Sequence, residues 1–283
     1  MTDIFNSKQW TVRYSTEDGG RIEQILYKGF ALLKDRPLKF RPPEKVHGRY
    51  EDRPVYGYDD CFPSVVACQY PKLNIEIPDH GELCWLKWGV TKGSNHLIFE
   101  TRSKILPLHF MRRMDFDDNS VLWSFEVKNE GTDTLPFQHV MHPLIAVSQI
   151  RDIEFPDFQF TYDWDHQRLI ELKKGEISHY LINHPSYSYS MLFLQNVSAG
   201  RVRWTYKNGL SVTMSFPAEL FPTIGVWWNN LGYPDEDNLR RDECSFEPVP
   251  GLTSDLSQAY SDGKCLFVQP EGAFQWQVKW EIS

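Results

Sequence analysis

Residues 274–282 read FQWQVKWEI, with apolar and polar side chains alternating at period two. Successive side chains on a strand point to opposite faces, so this stretch presents one apolar and one polar face. Residues 97–101, 109–116 and 120–128 alternate in the same way and read as antiparallel strands. Shorter strand-like runs fall at 10–14, 21–27, 189–194, 199–206, 210–216 and 223–228, and Asn208-Gly209 is a strong hairpin signal between two of them. The 3.6-residue template finds no convincing amphipathic helix longer than about three turns; residues 254–260 are the best candidate for a helical turn, and 175–182 read as a short connecting element. No repeat at solenoid or propeller spacing appears. A chain of this pattern folds as an all-β protein, a large antiparallel β-sandwich, and residues 1–283 read as a single domain.

Composition narrows the function. Aromatic residues make up 14% of the 283-residue chain, which suits sheet cores and also clefts where ring faces stack on sugars. The formal net charge is −8, with no basic run to neutralise phosphates, which argues against nucleic acid and against an anionic membrane surface as partners. The first ten residues, MTDIFNSKQW, carry neither a basic n-region nor an apolar h-region. Five cysteines without CxxC spacing read as reduced thiols, hence a cytoplasmic protein without disulfides or a structural zinc site.

Residues 125–147, FEVKNEGTDTLPFQHVMHPLIAV, draw attention to chemistry. An alternating strand runs into a polar turn at 129–134, and a second apolar run follows, so the stretch reads as a hairpin. It carries His139 and His142. His142 precedes Pro143, which biases its backbone toward extended geometry, and it is a candidate general acid. His139, three residues earlier, faces the other side of a regular strand and reads as structural. Two further residues of catalytic type sit at turns or strand ends, His80 and Glu247. A histidine titrates near neutrality and a carboxylate can act as general base. Glu243 and Glu271 are rival carboxylates. Asp59 and Asp60 are adjacent in a turn-rich segment and either solvated or in contact with sugar hydroxyls. Arg102, Arg112 and Arg113 lie on strands and either face an acidic sugar or, as strand arginines often do, lie on the solvated face. Residues 35–54, rich in Pro, Arg and Lys, read as a long loop over one face, its charge run a solvated surface rather than a site, although its arginines could reach a cleft.

These motifs occur in an order that resembles the galactose mutarotase-like superfamily, the aldose 1-epimerases and hexose-phosphate mutarotases. Gly19-Gly20-Arg21-Ile22 is similar to the family's opening GG-x-I element, and Asp79-His80-Gly81 with Trp88-Gly89-Val90 to its His-Gly turn and following strand. Asn129-Glu130-Gly131, Leu135-Pro136-Phe137 and His142-Pro143 resemble its most specific element, Phe246-Glu247-Pro248 its V-E-P motif, and residues 266–276 its closing strand pair. The resemblance implies a galactose mutarotase-like supersandwich with a sugar cleft, Glu247 as base, His142 as acid, His80 as a substrate contact, and no metal or cofactor. Cys84 stands where phosphosugar members carry arginine. Tyr58-Asp59-Asp60-Cys61 replaces their arginine-glycine-glycine element, and Pro270-Glu271-Gly272 inverts the closing turn. Leu144 follows His142-Pro143 where an aromatic is usual, so Trp227, Trp228 and Asn229 are candidate sugar contacts, with Asp59. The expectation is an isomerase that interconverts the α and β anomers of a small-molecule sugar, neutral or unidentified, with a phosphorylated substrate put in doubt by these departures. The alternatives are a non-catalytic carbohydrate-binding sandwich and an epimerase or lyase acting on a uronic acid.

Overall fold

The computed structural model describes residues 2–39, 48–236 and 239–283. Three antiparallel sheets carry most of the strand residues among them. The eight-stranded sheet runs, edge to edge, through Ile150–Glu154, Arg201–Tyr206, Ser211–Ser215, Ala273–Ile282, Ser120–Asn129, Leu108–Phe116, His96–Arg102 and Gly89–Lys92. Its strands are those with the clearest period-two alternation. In Ser120–Asn129 the buried residues are Val121, Trp123, Phe125, Val127 and Asn129, every second position. That alternation places Trp123, Trp276, Trp280 and Phe110 on one face, where Trp123 and Trp280 meet at 5.4 Å between ring centres.

Two smaller sheets form the opposing layer. A six-stranded sheet contains Asp3–Ser7, Trp10–Ser15, Arg21–Tyr27, Tyr58–Cys61 and Val140–Pro143, with Phe30–Ala31 paired to Arg21–Tyr27. A five-stranded sheet contains Arg168–Ile170, Phe160–Asp163, Ser188–Gln195, Thr223–Asn230 and Asp242–Val249. The two meet where Ile145 and Cys244 exchange backbone hydrogen bonds of 2.9 and 2.7 Å. Rings cross from this layer to the eight-stranded sheet, with Tyr58 on Trp123 at 4.8 Å and Phe246 on Trp204 at 5.4 Å. Aromatic pairs of this kind add about 0.5–1.5 kcal/mol each beyond their buried area. Buried apolar residues from Phe5 to Ile282 form one continuous core cluster between the layers.

The Asn208-Gly209 turn joins Arg201–Tyr206 to Ser211–Ser215 as its sequence predicts, with Gly209 at φ 94°. The two helices are short, Lys174–Ile182 and Leu256–Ser261. The expected hairpin at 125–147 does not form. Ser120–Asn129 pairs with Leu108–Phe116 and Ala273–Ile282, whereas Leu135–Phe137 pairs with Leu266–Val268 and Val140–Pro143 with Tyr58–Cys61. The polar turn therefore carries the chain from one layer to the other. Asn129 supports that crossing, its Oδ1 accepting from the Gly131 N–H at 2.9 Å and its Nδ2 donating to the Asp133 carbonyl at 2.7 Å.

Candidate functional site

The seam between the six- and five-stranded sheets has a core face and an outer face. On Asp242–Val249, Cys244 and Phe246 belong to the core cluster. Period two then turns Glu243, Ser245 and Glu247 to the outer face. Val140–Pro143 splits likewise: Met141 joins the core, and Val140 joins a separate cluster with Cys61, Phe193 and Val249 on the other side. His142 shares the side of Val140. The outer face carries a cavity of about 380 Å³, lined among others by Tyr50, Glu51, His80, His142, Trp227 and Glu247. This lies in the range of small-molecule sites, roughly 300–1,000 Å³.

Three residues more than sixty positions apart meet here. His142 Nε2 lies 3.6 Å from Glu247 Oε1, and the rings of His80 and His142 are 5.4 Å apart. His80 is delivered by a tight turn, with φ 58° at His80 and 70° at Gly81. A Cβ at Gly81 would lie 2.0 Å from the Phe62 carbonyl oxygen, so only glycine fits. Gly225 pairs with Glu247, and a Cβ there would press on Glu247 Oε2 and Met191 at 3.2 Å.

The electrostatics differ from residue to residue. Burial pushes Glu247 up from 4.5 to about 7, against smaller opposing effects of Ser245 and His80. Burial pulls His142 well below the usual histidine value, and the positive charges of His80, Arg21 and Arg241 act in the same direction. Burial also pulls on His80, but its Nδ1 lies 2.8 Å from Asp79 Oδ1, and this contact with the Asp79, Glu51 and Glu247 charges leaves His80 raised. Arg241 sits on the wall with Nε donating to Glu243 Oε1 at 2.7 Å. Among the described residues no group of three or more His, Cys, Asp or Glu side chains is arranged to hold a metal ion.

The structure separates the expected site residues. His80, His142, Glu247 and Trp227 line the cavity, as does Glu243. Glu271 is exposed in a distant turn. Three expected sugar contacts are elsewhere. Asp59 is buried behind the wall, accepting from Tyr50 Oη at 2.7 Å and paired with Arg21 at 2.8 Å. Trp228 points into the core, because it alternates with Trp227 on one strand. Asn229 spends its side chain on the 229–233 turn, Oδ1 accepting from the Gly232 and Tyr233 N–H groups at 2.9 Å and Nδ2 donating to the Tyr233 carbonyl at 2.8 Å. Arg112 is not solvated: it is fully buried in an ion pair with Asp60, whose Oδ1 also meets His139 Nε2 at 2.9 Å. Arg102 and Arg113 pair with Glu130 and Asp115.

Sequence reasoning missed Tyr50, Glu51, Asp165, Tyr189, Tyr233 and Arg241, which also line the cavity. Tyr50 and Glu51 belong to the loop expected at 35–54, of which residues 40–47 lie outside the described residues. A loop residue has no periodicity to mark it, and Arg241 adjoins a strand whose pattern reads as ordinary sheet.

No protein-family model and no curated protein sequence matches the chain. Solved structures do match in shape. A protein from Escherichia coli K12, provisionally assigned as an aldose 1-epimerase, shares 15% identity at a TM-score of 0.74, covering 100% of this chain and 99% of its own. A galactose mutarotase related enzyme from Lactobacillus acidophilus has 15% identity and a TM-score of 0.72, with coverage of 100% and 97%. A galactose mutarotase-like protein from Lactobacillus casei ATCC 334 has 14% identity and a TM-score of 0.71, with both chains covered in full. The architecture, three antiparallel sheets in two layers with a cavity on the outer face of the seam, is the galactose mutarotase-like β-sandwich fold.

Proposed function

We propose that this protein is an aldose 1-epimerase-like isomerase that interconverts the α and β anomers of a neutral aldose. The observation that carries the reading is the convergence of His80, His142 and Glu247 on one cavity wall, with a carboxylate that titrates near neutrality 3.6 Å from an imidazole nitrogen. A general base is most effective when its pKa lies near the working pH.

In the proposed reaction Glu247 takes the proton of the anomeric hydroxyl. The O1–H electron pair becomes the second bond of the aldehyde, the C1–O5 bond breaks, and its electrons stay on O5. His142 acts as the acid in its charged form, delivering to O5 the proton carried on Nε2 and keeping the one on Nδ1. Rotation about C1–C2 and reversal of both transfers closes the ring on the other face. Trp227, with Tyr189 at 5.6 Å and Tyr233 at 5.8 Å, supplies aromatic surface for the apolar face of the sugar. One observation favours a variant of this scheme: the cavity's positive charge rests more readily on His80 than on His142. In that variant His80 protonates O5 and His142 orients the substrate.

The lining carries Glu51, Asp79, Asp165, Glu243 and Glu247 against Arg241, which Glu243 already neutralises, and His80, which Asp79 holds. This balance disfavours a phosphorylated or uronic acid substrate, because like charges in a low-dielectric cavity repel strongly.

Saturation-transfer NMR or polarimetry on freshly dissolved aldoses tests the reading. Accelerated anomer exchange, lost in Glu247→Gln and His142→Ala, is expected. Loss in His80→Ala with retention in His142→Ala selects the variant scheme. Sugar binding with no acceleration for any aldose refutes the enzyme and leaves a carbohydrate-binding protein.

A further inference from the structure

We propose that Tyr50 is a positioning residue for proton transfer in this cavity, its hydroxyl holding His142 in the tautomer that turns an unprotonated Nε2 toward Glu247 and its ring clamping His80. The kinetic part rests on the mutarotase reading; the tautomer does not.

Tyr50 touches both cavity histidines and the carboxylate that holds His80. Its ring stacks on His80 at 3.9 Å between centres and 10° between planes. It meets His142 edge-on at 5.6 Å. Its hydroxyl donates to Asp59 Oδ2 at 2.7 Å and lies 3.2 Å from His142 Nδ1. Its backbone N–H donates to Asp79 Oδ2 at 3.1 Å, the carboxylate that holds His80.

The direction of these bonds follows from counting protons. A phenol has one to give. The Asp59 carboxylate, ion-paired with buried Arg21 at 2.8 Å, accepts and does not donate. The Tyr50 proton is therefore committed to Asp59. Burial, and then the Asp59 charge, hold the phenol well above its ordinary pKa, so it keeps that proton at neutral pH. Toward His142 the Tyr50 oxygen can only accept, so His142 Nδ1 carries a hydrogen. A neutral imidazole has one N–H, which leaves a lone pair on Nε2, the atom 3.6 Å from Glu247. A proton gained by His142 must then arrive at Nε2 and must leave from it. The chain Arg21, Asp59, Tyr50, His142 thus fixes which nitrogen exchanges protons with the cavity.

Tyr50→Phe keeps the ring and removes the hydroxyl. The expected kinetic result is a fall in kcat of about tenfold to a hundredfold with KM little changed, since the lost bond leaves a buried N–H without its acceptor. The second readout is nitrogen-15 NMR of His142 in the sugar-free protein above its titration. The wild type is expected to show protonated Nδ1 and unprotonated Nε2, and the variant a shift toward protonated Nε2. A wild-type spectrum with the hydrogen on Nε2 overturns the proposal whether or not the variant folds. So does a Tyr50→Phe protein with wild-type kcat and an unchanged tautomer. Failure of the mutarotase reading is distinct: the wild type then accelerates no aldose, while the tautomer still reports on Tyr50.

Discussion

Glu247→Gln separates the cost of the site from its use. Glu247 is 3% exposed, and its proton affinity rises from 4.5 to about 7 because ionisation must occur away from water. The sign follows from proton counting. Between those two values the native protein binds more protons than the unfolded chain, so stability falls as pH rises through the window. Each tenfold change in proton affinity is about 1.4 kcal/mol, so an ionised Glu247 costs the native state about 3 kcal/mol above neutrality. Glutamine has nearly the same shape and no charge to bury. The variant should gain about 2–3 kcal/mol relative to wild type between about pH 5 and about pH 8, a differential shift of roughly 4–8 °C in melting temperature. Other titrating groups are common to both proteins and cancel in the comparison. Urea denaturation at both pH values, with anomer exchange on the same samples, reads stability and activity together. A variant whose stability relative to wild type is the same at both pH values refutes the claim that Glu247 is a strained, desolvated carboxylate. A more stable variant that still accelerates exchange refutes its role as base.

Further outcomes follow from the same packing. Trp227→Ala should raise KM for the sugar and, because the ring is only partly buried, cost less stability than loss of a core tryptophan. Trp228→Ala, one residue on and in the core, should cost about 3–5 kcal/mol with normal KM in the protein that folds; denaturation and kinetics on the pair distinguish the two faces. Asp60→Ala strands buried Arg112 and should cost about 3–5 kcal/mol, measured by urea unfolding. Asp79→Asn removes the contact that raises His80. That contact stabilises the fold fully below the usual histidine pKa and is lost as pH rises through the raised one, so the variant should be destabilised in acid and not in alkali, with His80 titrating lower by NMR.

The comparison between sequence and structure turns on which interactions are local. The alternation in Ala273–Ile282 and Ser120–Asn129 specifies which side chains share a face before any partner strand is known, and those strands form as the pattern requires. Ser254–Tyr260 and 175–182 are near the two helices that form. The hairpin at 125–147 fails for an instructive reason. Strand pairing is a choice between partners, and a polar turn such as 129–134 serves equally to return a strand to its neighbour or to carry it to another sheet. The same ambiguity affects Trp227, Trp228 and Asn229. Residue type suggested all three as sugar contacts, but period two sends Trp228 inward, and the following turn takes up Asn229.

The all-β class, the alternating faces and the residue types able to move protons were determined by the sequence by itself, because each depends on covalent chemistry and on neighbours within a few positions. Tertiary structure alone decided that His80, His142 and Glu247 share a wall, that Asp59 and Arg112 are buried in ion pairs, and that Tyr50 packs against both histidines. Those facts depend on strand partners far apart in the chain. They also depend on desolvation, which acts on a carboxylate or an imidazole only after distant segments have closed around it.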